Sequence, residues 1–239
     1  MPFQLTRSRN IFMLAALTVV AIAGTFAYST VASGDSDRGR SQNYEVSITN
    51  ITKSQILSPA VVATHSDRFT PLFTLGSPAS AELAGVAEDA MVQPLIDALN
   101  ADPTVSKVEL LTGVNGPILP GETATITIKS TGNSREISLA AMLVTTNDAF
   151  IALNGEVLPG HSGMDFYSPA YDAGTEVNNE MCAYIPGPPC GNGGVRDTAG
   201  AEGYVYVSNG IQGTGDLDPA VFNWNNPVAK IMVKRVNDE

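Results

Sequence analysis

The chain has 239 residues, of which 44% are hydrophobic and 15% charged, and its 24 acidic residues outnumber its 13 basic ones to give a formal net charge of −11 at pH 7. This charge opposes nucleic-acid binding, which depends on basic surface patches. It favours solubility and the binding of cations.

The N-terminal segment, residues 1–33, is typical of an export signal. Arg7 and Arg9 precede an uncharged and mostly apolar stretch, Ile11–Tyr28, and small residues follow it. A basic start, an apolar centre and a small-residue end characterise secretory signals, so we expect cleavage at the end of this segment. Because the apolar stretch is also near the length of a membrane-spanning helix, an uncleaved N-terminal anchor is the alternative. Removal of the two arginines changes the net charge from −11 to −13.

The remainder of the chain, about 200 residues, is long enough for one domain with a hydrophobic core. Residues 34–43 are polar and contain no aromatic side chain, which is typical of a flexible spacer. We therefore expect the folded domain to occupy residues 44–237.

The domain begins with a predicted strand and continues with a helical segment. Residues 44–49 alternate apolar with polar side chains, which is the periodicity of a strand. Ala79–Leu99 instead places its apolar residues, such as Leu83 and Val86, at helical spacing. Pro94 is expected to end or kink this helix, so the segment predicts two short helices. We expect their apolar face to pack on the core rather than to form a binding groove.

The two-residue alternation returns later in the chain. It covers residues 123–128, 137–143, 204–207 and 229–233. Alternation of this kind is typical of antiparallel sheets with one solvent-exposed face, and strands separated by Pro/Gly loops favour a sandwich. The sequence thus predicts a mainly β fold, an antiparallel two-sheet β-sandwich with one or two short inserted helices.

An acidic and amide-rich segment, Tyr171–Glu180, surrounds Gly174. Calcium prefers six to eight oxygen ligands, and a loop rich in carboxylates suits it, although a solvated acidic turn has the same composition. A helix-loop-helix calcium motif is excluded, since counting from Asp172 places Val177 at the position that requires glycine and Ala183 at the position that requires glutamate.

The two cysteines, Cys182 and Cys190, lie close together in a Pro/Gly-rich loop directly after the acidic segment. An exported protein meets an oxidising compartment, so we predict a disulfide between them. A zinc site is the alternative, but His65 and His161 lack metal-ligand spacing to the cysteines.

No catalytic constellation is visible in the sequence. There is no Gly-x-Ser-x-Gly elbow and no phosphate-binding loop. Glu176 and Glu180 form a carboxylate pair of the kind used in glycoside hydrolysis, but few aromatic residues flank them to hold a sugar. We therefore expect a non-catalytic protein, and a hydrolase that acts on cell-surface polymers through Glu176 and Glu180 is the alternative.

A series of short motifs follows the domain from end to end: Tyr44–Thr52, Ser58–His65, Leu72–Gly76, Ala84–Glu88, Asp148–Phe150, Tyr171–Glu176 and Trp224–Ala229. In this order they resemble the spondin domain of F-spondin and mindin, and specifically its bacterial branch. The Tyr-Asp-Ala-Gly-Thr-acid motif at Tyr171–Glu176 is the most specific of them.

The resemblance implies a sandwich with one calcium ion held by loops at its edge. The implied ligands are Asp148, Asp172 and Glu176, and Glu176 is one methylene longer than the aspartate of the animal members. Asn147 and Asn178 are weaker candidates, and backbone carbonyls and water would complete the shell.

Together the residues and the resemblance predict an exported, calcium-binding, spondin-like module for adhesion or ligand binding. We expect it in the periplasm, at the cell surface or in the extracellular space, with a protein or glycan ligand that the sequence does not identify. No nucleic-acid partner is expected, and membrane contact is expected only through the N-terminal segment if that segment is kept.

Overall fold

The structure, a computed structural model, describes residues 41–237. The predicted signal segment and residues 34–40 of the predicted spacer lie outside the described residues. The first strand begins at Gln42, two residues before the expected start of the domain. Among the described residues, no helix has the length and apolar character needed to cross a bilayer.

Antiparallel strands dominate the described chain. The strands are β1 (Gln42–Asn50), β2 (Ala60–His65), β3 (Val105–Leu111), β4 (Thr123–Ser130), β5 (Glu136–Met142), β6 (Ala149–Val157), β7 (Met164–Ser168), β8 (Tyr171–Asp172), β9 (Tyr206–Val207) and β10 (Ala229–Val236). The helices are α1 (Ala81–Asp89), α2 (Val92–Ala101) and the single turn α3 (Pro219–Phe222), with a 3-10 turn at Cys182–Tyr184.

The described strands form two antiparallel sheets. One has four strands in the order β4-β1-β10-β7, and the other has six in the order β3-β2-β5-β6-β8-β9. Apolar side chains from both sheets meet in one cluster between them, which includes Ile48, Leu139 and Ile231. The predicted β-sandwich is confirmed.

The central strands of the six-stranded sheet, β2 and β5, are buried on both faces. Every residue of β2 is buried. Val62 and Leu139 are paired across β2 and β5 and belong to the core between the sheets, whereas the next pair, Val61 and Ala140, belongs to a second core with α1 and α2. A strand covered on both sides carries a continuous apolar run instead of an alternation. The helices therefore form a third layer over the sandwich, and their apolar face packs on the core as expected.

The helical segment divides where the backbone turns left-handed and not at the proline. Ser80 caps α1 by accepting a hydrogen bond from the backbone N–H of Leu83 at 3.2 Å. The helix ends at Asp89, and Ala90 has a φ of 56°. Pro94 lies in the first turn of α2. Backbone N–H groups in the first turn have no partner within the helix, so the N–H that proline lacks costs no hydrogen bond there. Two short helices are confirmed, but the prediction that Pro94 separates them is wrong.

Another correction concerns the predicted strand at residues 204–207, of which only Tyr206–Val207 is a strand. The backbone of Val205 pairs instead with the loop before α1. Its N–H donates to the carbonyl of Ser77 at 2.9 Å and its carbonyl accepts from Gly76 at 2.8 Å. The β-forming composition of this segment is therefore satisfied by a loop contact outside the sheet.

The predicted disulfide between Cys182 and Cys190 is confirmed, and it leaves no free cysteine in the described residues. The loop that it closes lies against the turn after β5, since the N–H of Gly187 donates to the carbonyl of Val144 at 2.7 Å. A Cβ atom at Gly187 would come within 2.2 Å of that carbonyl oxygen, so the contact requires glycine.

Replacement of Ala90 by glycine is expected to stabilise the domain. A left-handed conformation costs an L-residue about 1–2 kcal/mol, and glycine avoids this cost. Ala90→Gly should therefore raise the free energy of unfolding by about 1 kcal/mol, measured by urea denaturation. Ala84→Gly, within α1, is the control and should destabilise the domain.

Loss of the disulfide is expected to weaken the domain without preventing it from folding. The two cysteines are eight positions apart, and closing so short a loop stabilises by on the order of 2–3 kcal/mol. Cys182→Ser and Cys190→Ser should lower the melting temperature by similar amounts. Unequal losses would indicate that one cysteine has a role besides the bridge.

Candidate metal centre

The predicted ligands come together because β6 pairs with β8. Asp148 directly precedes β6, and the pairing places Ala149 opposite Asp172. The carbonyl of Asp148 also accepts a hydrogen bond from the N–H of Ala173 at 3.1 Å. Asp148, Asp172 and Glu176 are all at most 1% exposed. The sheet register thus brings the two predicted loops to one buried edge.

Asp148 holds the loop that follows β8. Its Oδ2 atom accepts hydrogen bonds from the backbone N–H of Thr175 at 2.7 Å and of Glu176 at 3.0 Å. Its other oxygen, Oδ1, is buried and has no hydrogen-bond partner. One oxygen therefore holds the backbone of the loop, and the other is buried without a hydrogen-bond partner.

Asp172 has partners for both of its oxygens. Oδ1 accepts from the N–H of Gly174 at 2.8 Å, and Oδ2 accepts from Nδ2 of Asn178 at 2.8 Å. Gly174 has a φ of +66°, and a Cβ atom there would come within 2.2 Å of the Tyr204 carbonyl oxygen. This glycine allows the loop to close around the carboxylate of Asp172, which keeps lone pairs for a further contact.

Glu176 is buried, and neither of its carboxylate oxygens has a hydrogen-bond partner. The charges that act on it are Glu88 and Asp89 at the end of α1 and Asp148. These charges raise the pKa of Glu176, and the backbone N–H of Asp197 offsets part of that increase. This N–H nevertheless makes no hydrogen bond of good geometry to Glu176. The side chain is thus placed among other carboxylates without a fixed contact.

Burial raises the pKa of all three carboxyl groups. The pKa of Asp148 rises from 3.8 to about 7, first through desolvation and then through the charge of Asp172. The pKa of Asp172 rises to about 6, mainly through desolvation, although its hydrogen bonds oppose the shift. Desolvation and the charge of Glu88 raise the pKa of Glu176 from 4.5 to about 8. At neutral pH the cluster must therefore hold either protons or a cation.

The weaker candidates, Asn147 and Asn178, have other roles. Oδ1 of Asn147 accepts from the N–H of Glu180 at 3.2 Å. Nδ2 of Asn178 donates to Asp172, to Oε1 of Glu202 at 3.3 Å and to the hydroxyl of Tyr206 at 3.0 Å. Asn178 thus presents its donor to the carboxylates, whereas a metal ligand would present its oxygen.

Glu180 belongs to a different structure. Its Oε1 atom accepts from the N–H of Gln212 at 2.5 Å, and its Oε2 atom accepts from Gly213 at 2.7 Å and Thr214 at 2.9 Å. Both oxygens therefore hold the loop at 212–214. Each oxygen of Glu180 accepts at least one backbone hydrogen bond, whereas neither oxygen of Glu176 accepts any.

Sequence reasoning missed several residues around the site: Glu88, Glu202, Tyr206 and Arg196. Glu88 and Arg196 come from α1 and from the loop after the disulfide, and only the tertiary fold brings them near Glu176. One signal was present, because acidic residues at the C-terminal end of a helix are unfavourable without a nearby cation.

The carboxylate oxygens of the site are donors of the type that calcium prefers, but they do not form a closed coordination shell. Among residues 41–237, no group of three or more His, Cys, Asp or Glu side chains is arranged so that it could hold a metal ion. Buried carboxylate oxygens without partners are nevertheless the donors that calcium prefers.

Comparison with known proteins assigns no function to the chain. Neither a family model nor a curated protein sequence matches the chain. The function must therefore be argued from these carboxylates and their surroundings.

The metal-free domain is expected to lose stability as the pH rises. The folded-state pKa values lie above the unfolded ones, so the folded domain binds more protons between about pH 4.5 and 8. The free energy of unfolding in the presence of a chelator should fall across this window, as measured by thermal denaturation. Glu176→Gln should flatten the upper part of the dependence, whereas Asp97→Asn, which removes an exposed carboxylate, should not.

Proposed function

We propose that the chain is an exported, calcium-binding module of the spondin type that serves adhesion or ligand binding and not catalysis. The observation that carries this proposal is the group of unpartnered carboxylate oxygens on Asp148 and Glu176, buried beside Asp172. Buried carboxylates without partners are costly, and a divalent cation removes this cost.

Asp148, Asp172 and Glu176 would hold the ion, with backbone carbonyls and water as further ligands. A bound calcium ion supplies positive charge and a point of coordination for oxygen atoms. Asp148 fixes the backbone of residues 175–176, and Asp172 fixes Gly174. The site would thereby secure two loops at the sheet edge, which suits a rigid recognition surface.

Export is supported by the disulfide and by the N-terminal sequence. A bridge between Cys182 and Cys190 is the form expected in an oxidising compartment. The basic and then apolar start of the chain supplies the export signal or an anchor. We place the protein in the periplasm, at the cell surface or in the extracellular space.

The ligand class follows from charge and from the resemblance. A net charge of −11 opposes binding to nucleic acid. We propose a protein or glycan ligand at the cell surface, and screening the purified protein on a glycan array and in a pull-down from cell envelopes would identify it. The hydrolase alternative receives little support, because Glu180 is engaged by backbone amides.

Calcium is expected to bind with one-to-one stoichiometry and to raise the melting temperature by mass action. Asp172→Asn should remove most of this increase. Glu180→Gln is the matched control: it should lower the melting temperature at every calcium concentration, because it loosens the loop at 212–214, but it should keep the calcium-dependent increase. Calorimetric titration and thermal denaturation measure both effects.

The absence of binding heat and of a thermal shift at millimolar calcium would contradict the proposal. The acidic loop would then be a buried cluster neutralised by protons alone.

A further inference from the structure

A pocket of about 260 Å³ lies where the core between the two sheets ends. The four-stranded sheet contributes Gln42 and Tyr44 of β1 to its lining, and the six-stranded sheet contributes Val157, the last residue of β6. Tyr44 and Leu158, which also line the pocket, belong to that core. The pocket is therefore the open end of the sandwich, and part of its lining is apolar.

Two arginines line this pocket, one from each sheet. Arg235 lies in β10, and its Nη1 atom donates to the carbonyl of Gly160 at 3.1 Å. Arg135 directly precedes β5, and its carbonyl accepts from the N–H of Leu158 at 2.8 Å. Both arginines are thus held beside the same short segment after β6.

The charge of these arginines is not compensated locally. No acidic residue is among the described residues that line the pocket. Neither Arg135 nor Arg235 takes part in an ion pair within the described part of the chain. Glu136, which follows Arg135, is directed instead toward Nδ1 of His65 at 3.7 Å. Two like charges beside one segment repel each other, and an anion between them removes this repulsion.

The acidic cluster of the candidate metal centre is too distant to supply that anion. Asp148 precedes the first residue of β6, and Val157 is the last. A nine-residue strand is about 30 Å long, and exposed charges are screened over about 8 Å at physiological ionic strength. A locally positive pocket therefore remains in a chain whose net charge is −11.

The lining of the pocket indicates the class of anion. Guanidinium groups present planar forks of N–H donors, which match the oxygens of a carboxylate or a phosphate. Ser134 and Gln42 add a hydroxyl and an amide, and Val157 and Leu158 add apolar surface. A sugar residue uses both kinds of surface, because its hydroxyls require hydrogen bonds and its ring C–H groups require apolar contact. The volume is below the roughly 300–1,000 Å³ of pockets for drug-sized ligands, so it suits one sugar residue.

We propose that this pocket binds one sugar residue that carries a single carboxylate or phosphate group, with Arg135 and Arg235 contacting the anionic group. The inference names a class of ligand for the proposed binding function, on which it rests. The acidic remainder of the chain repels a polyanion, so the recognised residue belongs to a glycan that is otherwise neutral.

The test is an NMR titration of the purified protein with glucuronate, glucose phosphate and glucose at constant ionic strength. At least one of the two anionic sugars should bind about tenfold or more tightly than glucose, because hydrogen bonds to charged groups are the stronger ones. It should shift the backbone amide signals of Leu158 and Gly160. The sugar that binds more tightly identifies the anionic group. Acetate and phosphate are tested alone, and affinities equal to those of the sugars overturn the recognition of a sugar.

The variant Arg135→Gln tests whether the pocket is the binding site. The side chain of Arg135 is exposed and makes no hydrogen bond within residues 41–237, so the variant should fold. Its affinity for the anionic sugar should fall by about tenfold or more. Arg135→Lys should also weaken binding, because an ammonium group does not reproduce the planar fork. Arg68→Gln is the matched control: it removes an exposed arginine outside the pocket and should leave the affinity unchanged.

Equal affinities for glucose and for both anionic sugars overturn the inference, as does wild-type affinity in folded Arg135→Gln. Either result leaves the proposed function intact, because calcium titration tests that function at other residues. A protein that binds no calcium defeats the proposed function without altering the sugar titration, so the two failures are distinguishable.

Discussion

The hydrogen bonds of the Asp148 carboxylate to the backbone of Thr175 and Glu176 hold the candidate site together. They depend on the pairing of β6 with β8, which brings Asp148 to the level of Asp172. The result is a closed loop around buried charge. One oxygen of Asp148 accepts hydrogen bonds from the backbone and so shapes the loop. The other oxygen is buried without a hydrogen-bond partner.

The surrounding structure supplies positive charge to only part of this acidic cluster. Arg196 reaches the end of α1 and pairs with Glu88 and Asp89, but Glu176 and Asp148 lie beyond its hydrogen bonds. Buried carboxylates in this position either take up protons, which their raised pKa values permit, or bind a metal ion. Stability and pH are therefore linked at this edge of the sandwich.

Much of the fold was predictable because its local signals agree with its tertiary structure. The alternation in β1, β4 and β10 matches a sheet with one covered face. The helical segment was also recognised, but its division was misplaced, because Pro94 is harmless in a first helical turn and the turn at Ala90 has no glycine to mark it. Val205 has the composition of a strand residue, yet it pairs with a loop, and no local pattern distinguishes the two partners.

For the site, the sequence determined which residue types were present and which loops carried them. The resemblance implied Asp148, Asp172 and Glu176 as metal ligands, and the bridge between Cys182 and Cys190 was predicted from spacing and compartment. The tertiary structure decided which oxygens lack partners, since burial and hydrogen bonding depend on atoms distant in the chain. It also decided that Glu88 pairs with Arg196 and that Glu180 is held by the backbone amides of residues 212–214, because these contacts join residues that are far apart in the chain.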